Sequence, residues 1–205
     1  MRHPSVSGTY EPLLGIVESA AAVDWIQIRE KDLSGREYAT LTRETVQRTA
    51  KCADGSGRTP RILVNDRLDV AIAERAGGVH LGENSLPVRE AKRLVEARAS
   101  SVDFLFGVSC HSLDAALSAA REGADYLIFG PVFPTPSKAV YGSPQGIDAL
   151  AAVCHSVSIP VLAIGGITVE NSASCLSAGA AGIAAIRLFQ DAADIASVVR
   201  ALRSE

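Results

Sequence analysis

The chain has 205 residues, a formal net charge of −3 and four widely spaced cysteines. This charge argues against a nucleic-acid partner, and no apolar run reaches the roughly 18 residues of a membrane span. We therefore expect one domain over residues 1–205. We place it in the cytoplasm, because cysteines spaced in this way suggest reduced thiols rather than a disulfide framework or a zinc site.

Short apolar runs alternate with amphipathic helical patterns from Trp25 onward. Most runs are apolar on both faces, as expected for parallel strands that are covered by helices. Repeated strand–helix units of this number predict a closed barrel or a doubly wound sheet. The predicted strands are Trp25–Arg29, Ile62–Asn65, Gly78–Leu81, Phe104–Ser109, Tyr126–Phe129, Val161–Ile164 and Gly182–Ile186.

An eight-stranded barrel needs one more strand, which would have to precede Trp25. Only Pro12–Val17 is apolar there, and Gly15 interrupts it. We expect an α/β fold, a (βα)8 TIM barrel with a short or degenerate first strand. Ser112 should begin one helix, and the last helix should span about Asp191–Arg203, with acidic residues at its start and basic residues at its end.

The run from Pro160 to Gly166 predicts a buried strand that ends in two glycines. Thr168 then caps a helix that we expect from about Val169 to Ala178. Free N–H groups and the positive end of a helix dipole favour an anion, usually phosphate. We expect Gly165 and Gly166 to bind it, and a valine at Gly166 to block the ligand while leaving the fold intact.

Polar residues interrupt the apolar pattern where the first two predicted strands end. The alternation of Gln27, Arg29 and Lys31 predicts one shared face, and two cations with an amide suit a diphosphate. A solvated charge pair is the alternative. Asn65 could bond a phosphate oxygen, and Asp66 could hold Mg²⁺ or cap the next helix; from the motif alone, the cap is favoured.

Ser109 and His111 should share a strand face toward the barrel mouth. A histidine there can act as an acid or base near neutral pH, although a lone histidine is more often structural. We expect His80 to be a hydrogen-bonded residue of the barrel interior and His155 to lie on the surface. The loop Gly130–Gly146 offers a phosphate contact through its hydroxyls and cation, or is only a turn; these residues are Thr135, Ser137 and Lys138.

Taken together, these motifs resemble the thiamine-phosphate synthase and TenI superfamily from Trp25 to about Gln190. The matching elements are Gln27-x-Arg29-x-Lys31, Asn65-Asp66-Arg67, Gly78-Val79-His80-Leu81-Gly82, Gly107-Val108-Ser109-x-His111, Gly130-Pro131-Val132-Phe133-Pro134-Thr135-x-Ser137-Lys138 and Ala163-Ile164-Gly165-Gly166-Ile167-Thr168.

The resemblance implies a barrel enzyme that joins a pyrimidine diphosphate to a thiazole phosphate with release of pyrophosphate, assisted by Mg²⁺. Gln27 and Ser109 would then face the pyrimidine, and Gly165 and Gly166 the thiazole phosphate. Asp66 would hold the metal. The pyrophosphate would be held by Arg29, Lys31, Asn65 and Lys138.

Three features depart from the synthase pattern, and one of them is that the usual motif of the first strand is missing. Ser85 stands where a second metal-binding aspartate is usual, and Arg187 replaces a phosphate-binding serine, although an arginine can still bind phosphate. These departures lean toward TenI-like thiazole tautomerases, in which a histidine matching His111 moves a proton without a metal. A third hypothesis is a catalytically silent regulatory protein that binds a phosphate ligand. Whether the chain forms a homo-oligomer stays open.

Overall fold

The structure, a computed structural model, describes residues 17, 22–51, 59–97, 103–135 and 143–204. Within them seven strands form one parallel sheet whose spatial order follows the sequence. The strands are β1 (Trp25–Ile28), β2 (Arg61–Asn65), β3 (Gly78–Leu81), β4 (Leu105–Cys110), β5 (Tyr126–Phe129), β6 (Val161–Ile164) and β7 (Gly182–Ala184).

Helices follow the strands. Several begin at side-chain caps: Ser34 and Glu37 form a capping box, Ser112 accepts the Ala115 N–H, and Thr168 pairs with Asn171. The helices are α1 (Gly35–Thr49), α2 (Leu68–Ala73), α3 (Val88–Glu96), α4 (Leu113–Arg121), α5 (Gly146–Ser156), α6 (Val169–Ser177), α7 (Arg187–Gln190) and α8 (Ile195–Arg203).

The sheet is strongly curled. Trp25 of β1 and Tyr126 of β5 have ring centroids 4.7 Å apart, although three strands lie between β1 and β5 in the sheet. In a flat sheet each step between neighbouring strands would add nearly 5 Å, so this contact requires the sheet to curve until β1 and β5 face each other across its interior. The predicted barrel class is thereby confirmed.

Alternation along each strand divides the apolar residues between two layers. One face packs inside the barrel, where Leu63, Tyr126 and Ile128 are buried with Trp25 against them. The other face packs under the helices in a larger cluster that includes Val64, Val79 and Phe129. Strands apolar on both faces are what this arrangement requires, as the sequence predicted.

Most predicted elements agree with the structure to within two residues, and the largest error concerns the last helix. Asp194, rather than Asp191, begins α8, because its carboxylate accepts the Ser197 N–H and starts a new helix there. The candidate first strand lies outside the described residues except for Val17, which is helical and buried. No helix in the described ranges is long and apolar enough to cross a membrane.

Candidate active site

The carboxyl ends of the parallel strands bring several predicted site residues to one end of the barrel. Asn65 is the last residue of β2, while Gln27 and Ser109 are next to last in β1 and β4. The side-chain amide of Gln27 donates a 3.0 Å hydrogen bond to Asn65 Oδ1. The two amides therefore fix each other at the position where barrel enzymes carry their chemistry.

Arg29 and Lys31 lie just beyond this pair. The strand was predicted to end at Arg29 and instead ends at Ile28, so strand alternation does not place Arg29 and Lys31 on one face with Gln27. Both side chains are exposed, and neither has an ion-pair partner in the part of the chain that the structure describes. Two cations are thus available to an external anion. By contrast, Arg67 is already paired with Asp69 at 2.6 Å.

Asp66 does not cap the helix that follows it, contrary to the reading favoured by its motif alone. Arg67 occupies the N-cap position of α2 but its side chain makes no capping hydrogen bond, and Asp66 has a left-handed backbone with φ of 68°. Its N–H donates to the His80 carbonyl at 2.9 Å. The carboxylate instead accepts a hydrogen bond from the Ser85 hydroxyl, and Ser85 Oγ accepts the Gly82 N–H at 2.7 Å.

These contacts define what a cation would meet at Asp66. An exposed carboxylate and a neutral hydroxyl stand side by side, and the described residues contain no group of three or more His, Cys, Asp or Glu placed to hold a metal. Mg²⁺ is commonly bound through one or two carboxylates, with water and substrate phosphates completing its shell. The donor set fits such a site, with one carboxylate.

His80 lies inside the barrel and is only 2% exposed. Its Nδ1 is 3.0 Å from the Tyr126 hydroxyl, and its Nε2 is 2.8 Å from Ser109 Oγ. Burial, with a smaller effect of the nearby Arg29 charge, lowers the pKa of His80 to about 4. The predicted structural, hydrogen-bonded role is confirmed, and the imidazole is neutral near pH 7.

His111 follows β4 and is half-buried at the same end of the barrel. Its Nδ1 bonds the Gly130 carbonyl at the end of β5. Because a carbonyl only accepts, Nδ1 carries the proton and Nε2 keeps its lone pair when the ring is neutral. His155 is exposed on α5, as predicted.

The Gly165–Gly166 turn supports the loop after β5 as well as the start of α6. Phe133 donates its N–H to the Gly165 carbonyl at 2.9 Å. A Cβ on Gly166, whose φ is 66°, would lie 2.6 Å from the Pro134 carbonyl oxygen. The expectation that a valine at Gly166 would leave the fold intact is therefore wrong, because it would displace this loop.

Arg187 reaches from the start of α7 to the same loop, where its guanidinium donates to Thr135 Oγ1 at 3.1 Å. The loop after β5 and the end of β7 are thus joined beside the Gly165–Gly166 turn. Two further predicted contacts, Ser137 and Lys138, lie outside the described residues.

Two features of the site were not predicted from the sequence. One is the Tyr126 hydroxyl beside His80, and the other is the hydrogen bond from Ser85 to Asp66. The first feature could have been anticipated from Gly107, which lies opposite Tyr126 on the neighbouring strand. A glycine where alternation predicts an inward side chain often marks the close approach of another group. Nothing local in the sequence indicates the second, because it depends on how two loops meet.

Comparison with known proteins gives a consistent result. The model of a protein family described as thiamine monophosphate synthase matches residues 6–189. A putative thiamine-phosphate synthase of Geobacter sulfurreducens is 46% identical over 176 residues, which cover 85% of this chain and 78% of the relative. A thiamine-phosphate synthase of Methanoculleus marisnigri is 43% identical over 190 residues, covering 93% and 85% respectively.

Solved structures agree with the sequence comparison. The thiamine phosphate pyrophosphorylase of Pyrococcus furiosus superposes with a TM-score of 0.78 at 33% identity, over 93% of this chain and 87% of that one. A 3-hexulose-6-phosphate synthase, at 16% identity and a TM-score of 0.68 over 95% and 93% of the two chains, shares the fold alone. The chain belongs to the thiamine monophosphate synthase family.

Proposed function

We propose that this chain is a thiamine-phosphate synthase: an enzyme that joins a pyrimidine diphosphate to a thiazole phosphate and releases pyrophosphate. The observation that carries the proposal is the pair Arg29 and Lys31, two exposed cations beside the Gln27–Asn65 amides and the Asp66 carboxylate. Relatives at about 40% identity that carry the name thiamine-phosphate synthase support the same activity.

In this mechanism the bond between the pyrimidine methylene and the diphosphate breaks, and the thiazole is joined to the methylene. Negative charge accumulates on the departing pyrophosphate, so groups that bind it most strongly at that moment lower the barrier. Arg29 can bind two phosphate oxygens at once, and Lys31 adds a compact positive charge. Asn65 donates to a further oxygen. We assign Lys138 to the pyrophosphate as well, on the basis of the sequence alone.

The remaining residues orient the two rings and the second phosphate. Gln27 and Ser109 face the pyrimidine at the barrel mouth. Both lie near the carboxyl ends of their strands, where Gln27 is hydrogen-bonded to Asn65 and Ser109 to His80. Gly165 and Gly166 receive the thiazole phosphate at the start of α6, where the helix dipole favours an anion. Thr135, Ser137 and Arg187 complete that phosphate site from the neighbouring loops.

Asp66 would hold Mg²⁺, with the Ser85 hydroxyl next to it in place of a second carboxylate. The ion would supply positive charge to the phosphate oxygens of the leaving group. With one protein carboxylate, affinity for the ion would depend strongly on the substrate diphosphate. A cytoplasmic location remains a prediction of the sequence.

One observation favours a second candidate, a thiazole tautomerase. Nε2 of His111 keeps its lone pair while Nδ1 is held by the Gly130 carbonyl, which is the state a proton-transferring base needs. The two cations near Asn65 have no role in that reaction, because a tautomerase binds no diphosphate. We therefore keep the synthase as the principal proposal.

The test is to incubate the purified protein with both phosphorylated substrates and follow pyrophosphate release, with and without Mg²⁺. A synthase releases pyrophosphate only when both substrates are present, and faster with Mg²⁺. Turnover of a thiazole carboxylate phosphate without pyrophosphate release would instead establish the tautomerase.

A further inference from the structure

Three side chains on adjacent strands form a hydrogen-bonded row inside the barrel: Tyr126 on β5, His80 on β3 and Ser109 on β4. The two hydrogen-bond distances are 3.0 Å and 2.8 Å, and Tyr126 and His80 are 1% and 2% exposed. Ser109, at the mouth end, is half-buried. The row therefore connects the closed interior to the mouth.

Gly107 makes this row possible. It lies on β4, level with His80 on one side and Tyr126 on the other. A Cβ at Gly107 would stand 2.0 Å from Cζ of the tyrosine ring and 2.2 Å from its hydroxyl oxygen. The ring of Tyr126 thus occupies the space that a side chain on β4 would fill, and its hydroxyl reaches across that strand to His80.

The direction of the hydrogen bonds follows from the number of protons. A neutral imidazole has one donor and one acceptor nitrogen, so the bonds to Tyr126 and Ser109 must run the same way along the row. The buried Tyr126 hydroxyl needs an acceptor, and in the described part of the chain His80 Nδ1 is its hydrogen-bond partner. Tyr126 therefore donates to Nδ1, and the imidazole proton is on Nε2, from which it is donated to Ser109 Oγ.

We infer that His80 is a positioning residue that makes Ser109 a hydrogen-bond donor toward the bound ligand. Because Ser109 Oγ accepts from His80, the serine's own proton turns away from the imidazole and toward the mouth. The site then selects a ligand atom with a lone pair, such as a ring nitrogen, over an amino group at that position. This inference rests on the proposed function for the identity of the ligand, the pyrimidine. The direction of the hydrogen bonds along the row does not depend on the proposed function.

The direct test is the nitrogen NMR spectrum of the imidazoles in the ligand-free wild-type protein near neutral pH. The signals of His80 are those that disappear in the His80→Gln variant. We expect His80 in the Nε2–H form. In Tyr126→Phe the donor to Nδ1 is lost, so the Nδ1–H form should become populated. Tyr38→Phe is the matched control, because it also removes a buried tyrosine hydroxyl, one that bonds the Ile28 carbonyl at 2.7 Å, and should leave the His80 signals unchanged.

A wild-type His80 that carries its proton on Nδ1, or on both nitrogens, would overturn the inference. So would an unchanged tautomer in Tyr126→Phe. Kinetics give the second readout: KM for the pyrimidine diphosphate should rise several-fold in Tyr126→Phe while KM for the thiazole phosphate stays the same, and equal increases in both would overturn the assignment to the pyrimidine. An Nε2–H tautomer in a protein without synthase activity would leave the inference standing and remove the proposed function.

Discussion

The two sides of the candidate site differ in how their polar groups are satisfied. Beyond β1 and β2, Arg29, Lys31 and Asp66 are exposed. Between β3 and β5, His80 and Tyr126 are buried, and their polar atoms are bonded to each other and to Ser109. Under the proposed function, the charges that meet the diphosphate are the exposed ones, whereas the neutral groups that recognise the pyrimidine are fixed by the fold. The proposal therefore assigns binding strength and orientation to different residues.

The largest expected effect concerns the buried side and its dependence on pH. His80 has a pKa lowered from 6.5 to about 4, so the unfolded chain binds its proton at a higher pH than the folded one. Stability from the neutral imidazole is complete above pH 6.5 and is lost as the pH falls from there toward 4. Between pH 7 and 5 the free energy of unfolding should fall by roughly 2 kcal/mol from this residue.

Denaturant unfolding of the metal-free protein at both pH values measures this loss. His155→Gln is the control: this histidine is exposed on α5, and the loss should persist in its absence. An unfolding free energy that does not change between pH 7 and 5 would contradict the burial of a neutral His80.

On the exposed side, Lys31→Ala should lower turnover at least tenfold, which corresponds to about 1.4 kcal/mol of transition-state stabilisation. Under the proposed function, the lost charge is one that acts on the departing pyrophosphate. Steady-state kinetics measure the change, and Lys51→Ala, which removes an exposed lysine directly after α1, serves as the control. Wild-type turnover in Lys31→Ala would make that lysine an ordinary surface charge.

A smaller change is expected at the metal position. Ser85→Asp places a second carboxylate beside Asp66, with the Gly82 N–H available to it, and should lower the Mg²⁺ concentration for half-maximal turnover several-fold. Thermal unfolding gives an independent readout, because a ligand that binds only the folded state raises stability with its concentration. Mg²⁺ should stabilise Ser85→Asp more than the wild type, and equal responses would argue against Asp66 as a ligand.

The smallest effect should come from His111→Asn, because departure of pyrophosphate needs electrostatic stabilisation more than proton transfer. The asparagine amide can still donate to the Gly130 carbonyl, which the Nδ1–H of His111 bonds now. Synthase turnover should fall by less than about tenfold, or less than about 1.4 kcal/mol. Complete loss of turnover on a thiazole carboxylate phosphate in this variant would instead assign His111 the tautomerase role.

The comparison of the two sides also shows what the sequence could predict. The apolar runs located all seven strands of the described residues, and Ser112 and Thr168 marked two helix starts, because both signals are local. The interior position of His80 followed from its place inside the apolar strand Gly78–Leu81, but its partners did not, since Tyr126 is 46 residues away and meets it only in the curled sheet. For the same reason the family resemblance placed Ser85, 19 residues from Asp66, where a second metal-binding aspartate is usual, but could not identify it as the hydrogen-bond donor to Asp66.

Arg29, Lys31 and Asp66 form the exposed rim of the barrel mouth. The sequence predicted the presence of these residues at the mouth better than it predicted their backbone conformation. Arg29 and Lys31 were assigned to one strand face by alternation, and Asp66 by its motif alone to a helix cap, because alternation and capping preferences do not account for the turns at strand ends. The clash that a side chain at Gly166 would make with Pro134 was also missed, since it arises between two loops. Local patterns predicted which residues gather at the barrel mouth and left their mutual contacts undetermined.

The separation of charge and orientation can be tested most directly by titrating inorganic pyrophosphate, in the presence of Mg²⁺, into two variants, Arg29→Gln and Ser109→Ala. If the exposed rim alone holds the diphosphate, affinity should fall at least tenfold, about 1.4 kcal/mol, in Arg29→Gln and stay at the wild-type value in Ser109→Ala. Equal losses in both variants, or a loss only in Ser109→Ala, would contradict the division of the site into a charged rim and a neutral interior.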